Sequence, residues 1–300
     1  MLLPIRRRAG YVSWVDLQFG DVQVQIVSGG RLRLDGGSMF GVVPRVVWQR
    51  QWPPDDRHRI LLDTNCLLLR TAGQMALVDS GYGAESSAAQ RDHHALEDGH
   101  PLVRNLGRLG IDPADINVVI ATHLHFDHAG GFTVKTESDG WRPTFPHARY
   151  CVQRVEWEDA VSDLGELSGM YSPDHLIPLQ NADVLQLLDE DTELLPGVRC
   201  RLTGGHSRGH QILYLGSDDD QAVCIADLCP TRAHLKTNWT MAYDQYSRRV
   251  RRIKPQLLAE AADRGWTVLF SHDPHAPAAR LVRNASGQIE ISETIGSTGP

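Results

Sequence analysis

The sequence of 300 residues has no run of 18 consecutive apolar residues, the least that a membrane-spanning helix needs. Its first ten residues lack the apolar stretch typical of a secretory signal. Cysteine is scarce: five residues, an odd number without CxxC spacing, argue against a disulfide framework. These absences predict a cytoplasmic protein that does not enter a membrane.

Positive charge is also in deficit, with 30 Lys and Arg against 37 Asp and Glu and a formal net charge of −7. This balance disfavours nucleic acid and anionic membranes as partners and favours a small-molecule substrate. Two basic segments, Arg6–Arg8 and Arg248–Lys254, keep nucleic acid open as a weaker alternative. Because charge runs usually form solvated faces, the second segment could equally meet an acidic substrate or a partner subunit.

Short apolar runs that alternate with helical patterns fill most of the chain. The predicted strands cover 22–28, 60–70, 74–79, 117–122, 148–153, 184–188, 199–203, 211–216, 221–226 and 266–271. The predicted helices cover 101–109, 153–163 and 255–264, with Pro255 in the first turn of the last, and polar loops are expected at 84–100 and 132–146. This organisation predicts an α/β domain with sheets packed inside helices.

What the sequence has in excess is histidine, 14 residues, with a cluster directly after the predicted strand 117–122. In extended chain, side chains two residues apart point the same way, so His123 and His125 can close on one metal ion. Asp127 and His128 follow in the loop and can face a second ion nearby. Imidazole and carboxylate groups suit zinc, and also iron, manganese or cobalt.

This HxHxDH run resembles the signature of the metallo-β-lactamase superfamily. Further residues follow predicted strands in the order of that family: His206 in a glycine-rich loop, then Asp227, then His272. Asp79 matches a family aspartate that supports the metal site from outside its ligand set. The resemblance covers roughly residues 59–273 and implies the four-layer αββα sandwich of the superfamily.

The resemblance also implies a dinuclear metal site, with zinc as the expected metal and iron, manganese or cobalt as alternatives. The implied ligands form two sets with a carboxylate between them: His123, His125 and His206; Asp127, His128 and His272; and the bridging Asp227. A hydroxide between the two ions would attack a carbonyl or phosphoryl centre. Asp127 could also pass a proton to the leaving group, and Tyr243 is the candidate protein donor to the oxyanion.

Departures from the family pattern indicate which branch of the superfamily this chain resembles. Asp227, rather than cysteine, occupies the bridging position, which resembles the lactonase and glyoxalase branches. Acyl-homoserine lactonases carry a tyrosine three residues later, where this chain has Pro230. The residues after the third histidine, Ser207 to Gly209, also differ, and we expect them to bring Arg208 near the site. The resemblance implies a lactonase-like hydrolase acting on a lactone, an ester or a similar small substrate.

Two other activities of the superfamily stay open. One is a mononuclear-iron oxidoreductase similar to the persulfide dioxygenases, and the other is hydrolysis of phosphotriesters or phosphodiesters, nucleic acid included. The metal-ligand pattern alone suits all three chemistries.

The segment 36–58 is apolar and rich in turn residues. In the lactonase-like and methyl-parathion-hydrolase-like branches, a segment of this kind borders the active site or a dimer interface. Met39, Phe40, Trp48 and Trp52 therefore either line an apolar substrate pocket or belong to the core. We expect one domain over residues 1–300, with 1–58 as an N-terminal extension bordering the site, and a homodimer is a candidate assembly.

Overall fold

A computed structural model describes residues 15–136, 140–162, 164–167, 169–217 and 220–296. The basic segment Arg6–Arg8 lies outside these residues. None of the helices within the described ranges has the length and apolar character needed to cross a membrane.

Sixteen β-strands occur in the described part of the chain. They are β1 (Val15–Phe19), β2 (Val22–Asp35), β3 (Arg59–Thr71), β4 (Gln74–Val78), β5 (Val118–Ile120), β6 (Thr133–Thr136), β7 (Gly140–Pro143), β8 (Arg149–Gln153), β9 (Leu185–Leu188), β10 (Thr192–Leu195), β11 (Val198–Leu202), β12 (Gln211–Ser217), β13 (Asp220–Cys224), β14 (Thr267–Leu269), β15 (Ala278–Arg283) and β16 (Ile289–Ile295).

Eight α-helices accompany these strands in the same ranges. They are α1 (Gly36–Phe40), α2 (Arg45–Trp48), α3 (Ala88–His94), α4 (Pro101–Arg108), α5 (Phe126–Ala129), α6 (Arg154–Ala160), α7 (Pro173–Asn181) and α8 (Ser247–Arg264).

The strands form two seven-stranded sheets and a separate β6–β7 hairpin. The first sheet has the order β1-β2-β3-β4-β5-β8-β9, and the second runs from β10 to β16 in chain order. Within the first sheet β4 and β5 are parallel, with Leu77 opposite Val119, and in the second β13 and β14 are parallel, with Val223 opposite Val268. Parallel neighbours end at the same edge of a sheet, so the loops after them lie side by side.

Apolar side chains from both sheets share one core. Leu67 and Ile120 of the first sheet belong to the same buried cluster as Leu213 and Leu269 of the second. A second cluster packs α4, α6 and α7 on the outer face of the first sheet, and a third packs α8 on the outer face of the second. The predicted αββα sandwich is therefore confirmed.

The predicted start of the last helix was wrong. α8 begins at Ser247, so Pro255 lies inside the helix rather than in its first turn. Two buried residues before the proline explain this extension: Val250 packs in the outer core, and the Lys254 ammonium donates to the carbonyl of Trp239 at 2.6 Å. Packing of this face outweighs the backbone donor that proline removes.

The predicted loops at 84–100 and 132–146 were also wrong in part, because they contain α3 and the β6–β7 hairpin. α3 begins with a reciprocal capping box, in which Gln90 N donates to the Ser87 hydroxyl and Ser87 N donates to the Gln90 side chain. The helix has no buried residue. It therefore lacks the apolar periodicity on which the sequence prediction depended.

Residues 15–35 form β1 and β2, which extend the first sheet. The following segment packs beside the sheet, where Phe40 stacks on Trp48 at a ring separation of 5.2 Å and on the buried His234 at 4.9 Å. Trp52 is also buried and donates to the Leu61 carbonyl. Phe40, Trp48 and Trp52 thus belong to the core.

Candidate metal centre

Seven side chains that the sequence nominates as metal ligands converge at one edge of the sandwich. Those of the HxHxDH run follow β5 in the first sheet, whereas the other three follow β11, β13 and β14 in the second sheet. They fall into three overlapping groups whose ligand atoms lie within 4.8 Å of one another: His123, His125 and His206; His123, His128 and Asp227; Asp127, His128 and His272.

The first set consists of three imidazoles. His125 Nδ1 lies 3.0 Å from His123 Nε2 and 2.9 Å from His206 Nε2. His123 and His125 follow a strand of the first sheet, whereas His206 follows a strand of the second sheet. The set therefore forms only when the two sheets are packed together.

The second set lies beside the first and contains a carboxylate. His128 Nε2 and His272 Nε2 are 2.9 Å apart, and Asp127 Oδ2 lies 3.6 Å from His272 Nε2. Asp227 stands between the two sets. Its Oδ1 is 3.1 Å from His272 Nε2, and its Oδ2 is 3.5 Å from His206 Nε2.

Three of the imidazoles donate their Nδ1 hydrogens to buried acceptors, a tautomer that we infer from these partners. The pairs are His128 with Asp79 Oδ2 at 2.8 Å, His206 with Asp244 Oδ1 at 2.9 Å, and His272 with the Asp63 carbonyl at 2.9 Å. A proton on Nδ1 leaves the lone pair of Nε2 directed at the centre of the site. The surroundings thus orient these nitrogens as ligands.

The residues present fit divalent metal ions. Lone pairs on nitrogens only 2.9 to 3.0 Å apart repel one another unless a cation or a proton lies between them. Burial lowers the pKa of His123 and His125 well below its ordinary value, which keeps both rings neutral. Burial also opposes a charge on His128, yet Asp227 and Asp79 raise the pKa of His128 well above its ordinary value. Protons on such a histidine compete with a divalent ion for the same lone pair.

Asp79 and His210 hold parts of this arrangement without being candidate ligands, a role that the resemblance implies for Asp79. Asp79, in a left-handed conformation with φ 57°, accepts from Thr122 N at 2.8 Å and from the Thr122 hydroxyl at 2.7 Å. His210 is fully buried, and its Nε2 accepts from the backbone N–H of Asp227 at 3.1 Å. A buried imidazole therefore holds Asp227 through its backbone.

Sequence reasoning missed Asp244, the acceptor for His206. Its other oxygen accepts from Met241 N at 2.9 Å, so the same carboxylate fixes the turn that carries Tyr243. Asp244 lies 38 residues after His206 in a segment without periodic pattern. The one indication in the sequence is that Asp244 directly follows Tyr243, the candidate donor to the oxyanion.

A cavity of about 370 Å³ opens directly on these side chains. Its floor contains His125, Asp127, His206, Asp227 and His272. Its wall is largely apolar and includes Leu34, Met39, Leu96, Phe126, Met170 and Met241, with Tyr243 and His94 among the polar members. Of the four residues of segment 36–58 that were pocket candidates, Met39 is the one in this wall.

Arg208 does not line the cavity that opens on the candidate ligands, but it lines a neighbouring cavity together with Met170 and Tyr243 of the same wall. Its guanidinium pairs with Asp159 at 2.6 Å and with Glu158 at 3.3 Å, both on α6. These carboxylates hold the side chain on the outer side of the loop, whereas His206 points inward.

Comparison with known proteins places this geometry in a family. The sequence profile of the metallo-beta-lactamase superfamily matches residues 59–283. The N-acyl homoserine lactonase of Bacillus thuringiensis is 32% identical over 124 residues, which are 41% of this chain and 42% of the lactonase. The lactonase AttM of Rhizobium radiobacter is 26% identical over 223 residues, 70% of this chain and 81% of that protein.

Solved structures agree with this placement. A probable metal-dependent hydrolase from Staphylococcus aureus superposes with a TM-score of 0.85 at 30% identity, covering 93% of this chain and 98% of that one. AidC, a dizinc quorum-quenching lactonase, superposes with a TM-score of 0.76 over 93% of this chain and 97% of its own, and at 19% identity this likeness shows a shared fold. The chain belongs to the metallo-beta-lactamase superfamily.

Proposed function

We propose that this protein is a dinuclear metal-dependent hydrolase that acts on a lactone, an ester or a similar small uncharged substrate. The observation that carries the proposal is the placement of Asp227, which turns one carboxylate oxygen toward each of the two ligand sets. Five imidazoles and two carboxylates exceed the four ligands that a single tetrahedral zinc accepts.

In this proposal His123, His125 and His206 would hold one ion, Asp127, His128 and His272 would hold the other, and Asp227 would be available to both. Bound divalent ions, most simply zinc, would polarise the substrate carbonyl and lower the pKa of a bound water. Hydrolysis adds the hydroxyl group of water to the carbonyl carbon and a proton to the departing oxygen.

The chain's own residues supply substrate binding and proton transfer. The apolar wall excludes water and favours an uncharged substrate. Burial raises the pKa of Tyr243, so its hydroxyl stays protonated and can donate to the developing oxyanion. Asp127 lies on the cavity floor and can pass a proton to the departing oxygen.

The relatives favour a lactone among these substrates. Several curated relatives are named N-acyl homoserine lactonase, although the Bacillus thuringiensis match covers less than half of that protein. The Pro230 position argues against transferring their mechanism unchanged, because no tyrosine stands there to donate to the substrate. We propose that Tyr243 provides the donor instead.

Metal analysis combined with a substrate panel tests the proposal. Purified protein should contain close to two transition-metal ions per chain and should hydrolyse lactones or aryl esters in preference to thioesters and phosphotriesters. A content of less than one ion per chain in carefully handled protein would contradict the proposal. Oxygen uptake with a persulfide substrate would point instead to the mononuclear-iron chemistry.

We also infer the domain organisation of the chain and the compartment in which it works. We propose a single domain over residues 1–300, since strands from residue 15 to residue 295 belong to the two packed sheets. We also propose a reducing compartment such as the cytoplasm, because all five cysteines are free and buried.

A further inference from the structure

One buried carboxylate on α6 contacts both of the loops that carry the first ligand set. Glu156 is 1% exposed and accepts hydrogen bonds from Leu124 N at 2.9 Å, Tyr171 Oη at 3.2 Å, Ser207 Oγ at 2.6 Å and Gly209 N at 3.0 Å. Buried carboxylates are costly unless they are fully hydrogen-bonded, and all four contacts here come from donors.

The two oxygens of Glu156 divide these partners between the loops. Oε1 accepts from Leu124, which lies between His123 and His125 in what we name the first ligand loop, residues 122–128. Oε2 accepts from Ser207 and Gly209, which follow His206 in the second ligand loop, residues 203–210. A single side chain therefore spans the junction between loops that leave different sheets.

The second ligand loop is shaped to receive this side chain. A Cβ atom added at Gly209 would lie 2.3 Å from the Cβ of Glu156, so glycine is required for this close approach. Arg208, between the two, pairs with Asp159 on the same helix. All three residues of the tripeptide Ser207 to Gly209, which departs from the family pattern, thus contact α6.

Tyr171 extends this connection to the first ligand loop. Its hydroxyl donates to Glu156, and its ring lies 5.4 Å from the ring of His125. Gln245 donates to the Tyr171 hydroxyl at 3.4 Å, and its backbone N–H donates to the carbonyl of His206. His125 and His206 are therefore connected by two routes, one through Glu156 and one through Tyr171 and Gln245.

We propose that Glu156 is a positioning residue that holds the two ligand loops in register and thereby sets the metal subsite of His123, His125 and His206. This inference rests on the proposed dinuclear site. His128 and His272 of the other subsite also have buried acceptors of their own, the Asp79 carboxylate and the Asp63 carbonyl, which orient their rings. Loss of Glu156 should therefore weaken one subsite much more than the other.

Glu156→Gln is the informative variant, with Glu158→Gln as its matched control. Glutamine keeps the shape of the side chain but replaces one acceptor oxygen by an NH₂ group, which must face the donors of one loop. Glu158 undergoes the same chemical change two residues away on the same helix, where its side chain is 54% exposed and contacts Arg208.

Amide hydrogen exchange of the metal-free proteins measures the loops directly. In Glu156→Gln, the amides of Leu124 and Gly209 should exchange faster, with at least one of them accelerated by about tenfold or more. Glu158→Gln should match the wild-type protein. Unchanged exchange at both amides in folded Glu156→Gln overturns the inference.

Competition with a zinc chelator measures the two binding steps. We expect Glu156→Gln to weaken one step by about 10- to 100-fold and the other by less than about threefold, with Glu158→Gln unchanged. Equal weakening of both steps, or of neither, overturns the inference. Uptake of no zinc by the wild-type protein contradicts the proposed function itself, which the exchange measurement distinguishes from a failure of the Glu156 contacts.

Ser207→Ala provides a milder variant if Glu156→Gln does not fold. It removes only the hydroxyl contact to Glu156 Oε2 and leaves the two backbone contacts in place. The same single zinc-binding step should weaken by a smaller factor, while the thermal unfolding temperature of the metal-free protein stays close to that of the wild type. An unaltered zinc-binding profile in this variant overturns the inference as well.

Discussion

The floor and the wall of the cavity are built in different ways. On the floor, His206 and His272 each donate to a buried acceptor, and the candidate ligands follow strands of the two sheets. The wall collects side chains from short helices and connecting segments, such as Met39 on α1, Leu96 after α3 and Met241 before the Asp244 turn. Buried strand ends resist movement, whereas connecting segments have fewer partners.

From this difference we infer that floor residues determine the chemistry of the site and that wall residues determine its substrate selectivity. Residues held by several buried partners keep a reactive geometry constant, and wall residues can change without disturbing it. We therefore expect floor substitutions to alter metal binding and turnover together. Wall substitutions should alter turnover or substrate preference while the metal content stays the same.

Asp227→Asn tests the floor most severely. Its charge faces both ligand sets, so its loss should lower kcat/KM by at least about a thousandfold, since several kcal/mol of metal-derived stabilisation are at stake. Kinetics with the best substrate of the panel, together with metal content, provide the measurement. Retained turnover in a folded variant would remove Asp227 from its bridging role.

Tyr243→Phe tests whether one wall residue takes part in the chemistry. Removal of a donor to the oxyanion should lower kcat by about a hundredfold, with KM and metal content nearly unchanged. The variant Tyr246→Phe changes a tyrosine that is 45% exposed on the surface and serves as its control. Equal kinetics for the two variants would assign Tyr243 to packing alone.

Asp244→Asn tests the buried acceptor that orients the floor residue His206. The amide keeps one acceptor oxygen for His206, but it carries no charge and turns an NH₂ group toward the Met241 N–H, so we expect zinc affinity to fall by about tenfold. Chelator competition measures this change. The comparison between floor and wall fails if metal affinity is unaltered while substrate preference shifts.

Leu96→Ala should give the smallest effect. The side chain lines the wall and contacts no ligand, so its truncation should raise KM about threefold for lactones with long alkyl substituents, and less for short ones. Paired lactones that differ only in chain length provide the measurement. Loss of metal from this variant would show that the wall and the floor are not independent.

The sequence predicted the floor far better than the wall. His123 to His128 lie in one short run, and Asp227 and His272 directly follow apolar strands, so a period-2 pattern and the strand ends reveal them. The sequence did not reveal Asp244 and Glu156 because nothing local marks a buried acceptor. Asp244 lies 38 residues from His206, and Glu156 lies 32 to 53 residues from its partners in the two ligand loops.

The fold shows the same division. The alternation of apolar strands predicted most of both sheets, whereas α3 was not predicted because none of its seven residues is apolar and buried. Segment 36–58 was ambiguous for another reason. Apolar side chains such as Met39 and Trp48 suit a pocket wall and a core equally well, and only tertiary packing separates the two.

Each ligand set combines side chains from both sheets, with His206 joining His123 and His125, and His272 joining Asp127 and His128. A metal ion in either set would therefore act as a reversible cross-link between the two halves of the polypeptide. Unlike a disulfide, which stays closed when the chain unfolds, such a link forms only in the folded protein and adds its binding free energy to the stability, so a chelator rather than a reductant would open it. Resistance of the sandwich to unfolding would then follow the supply of metal.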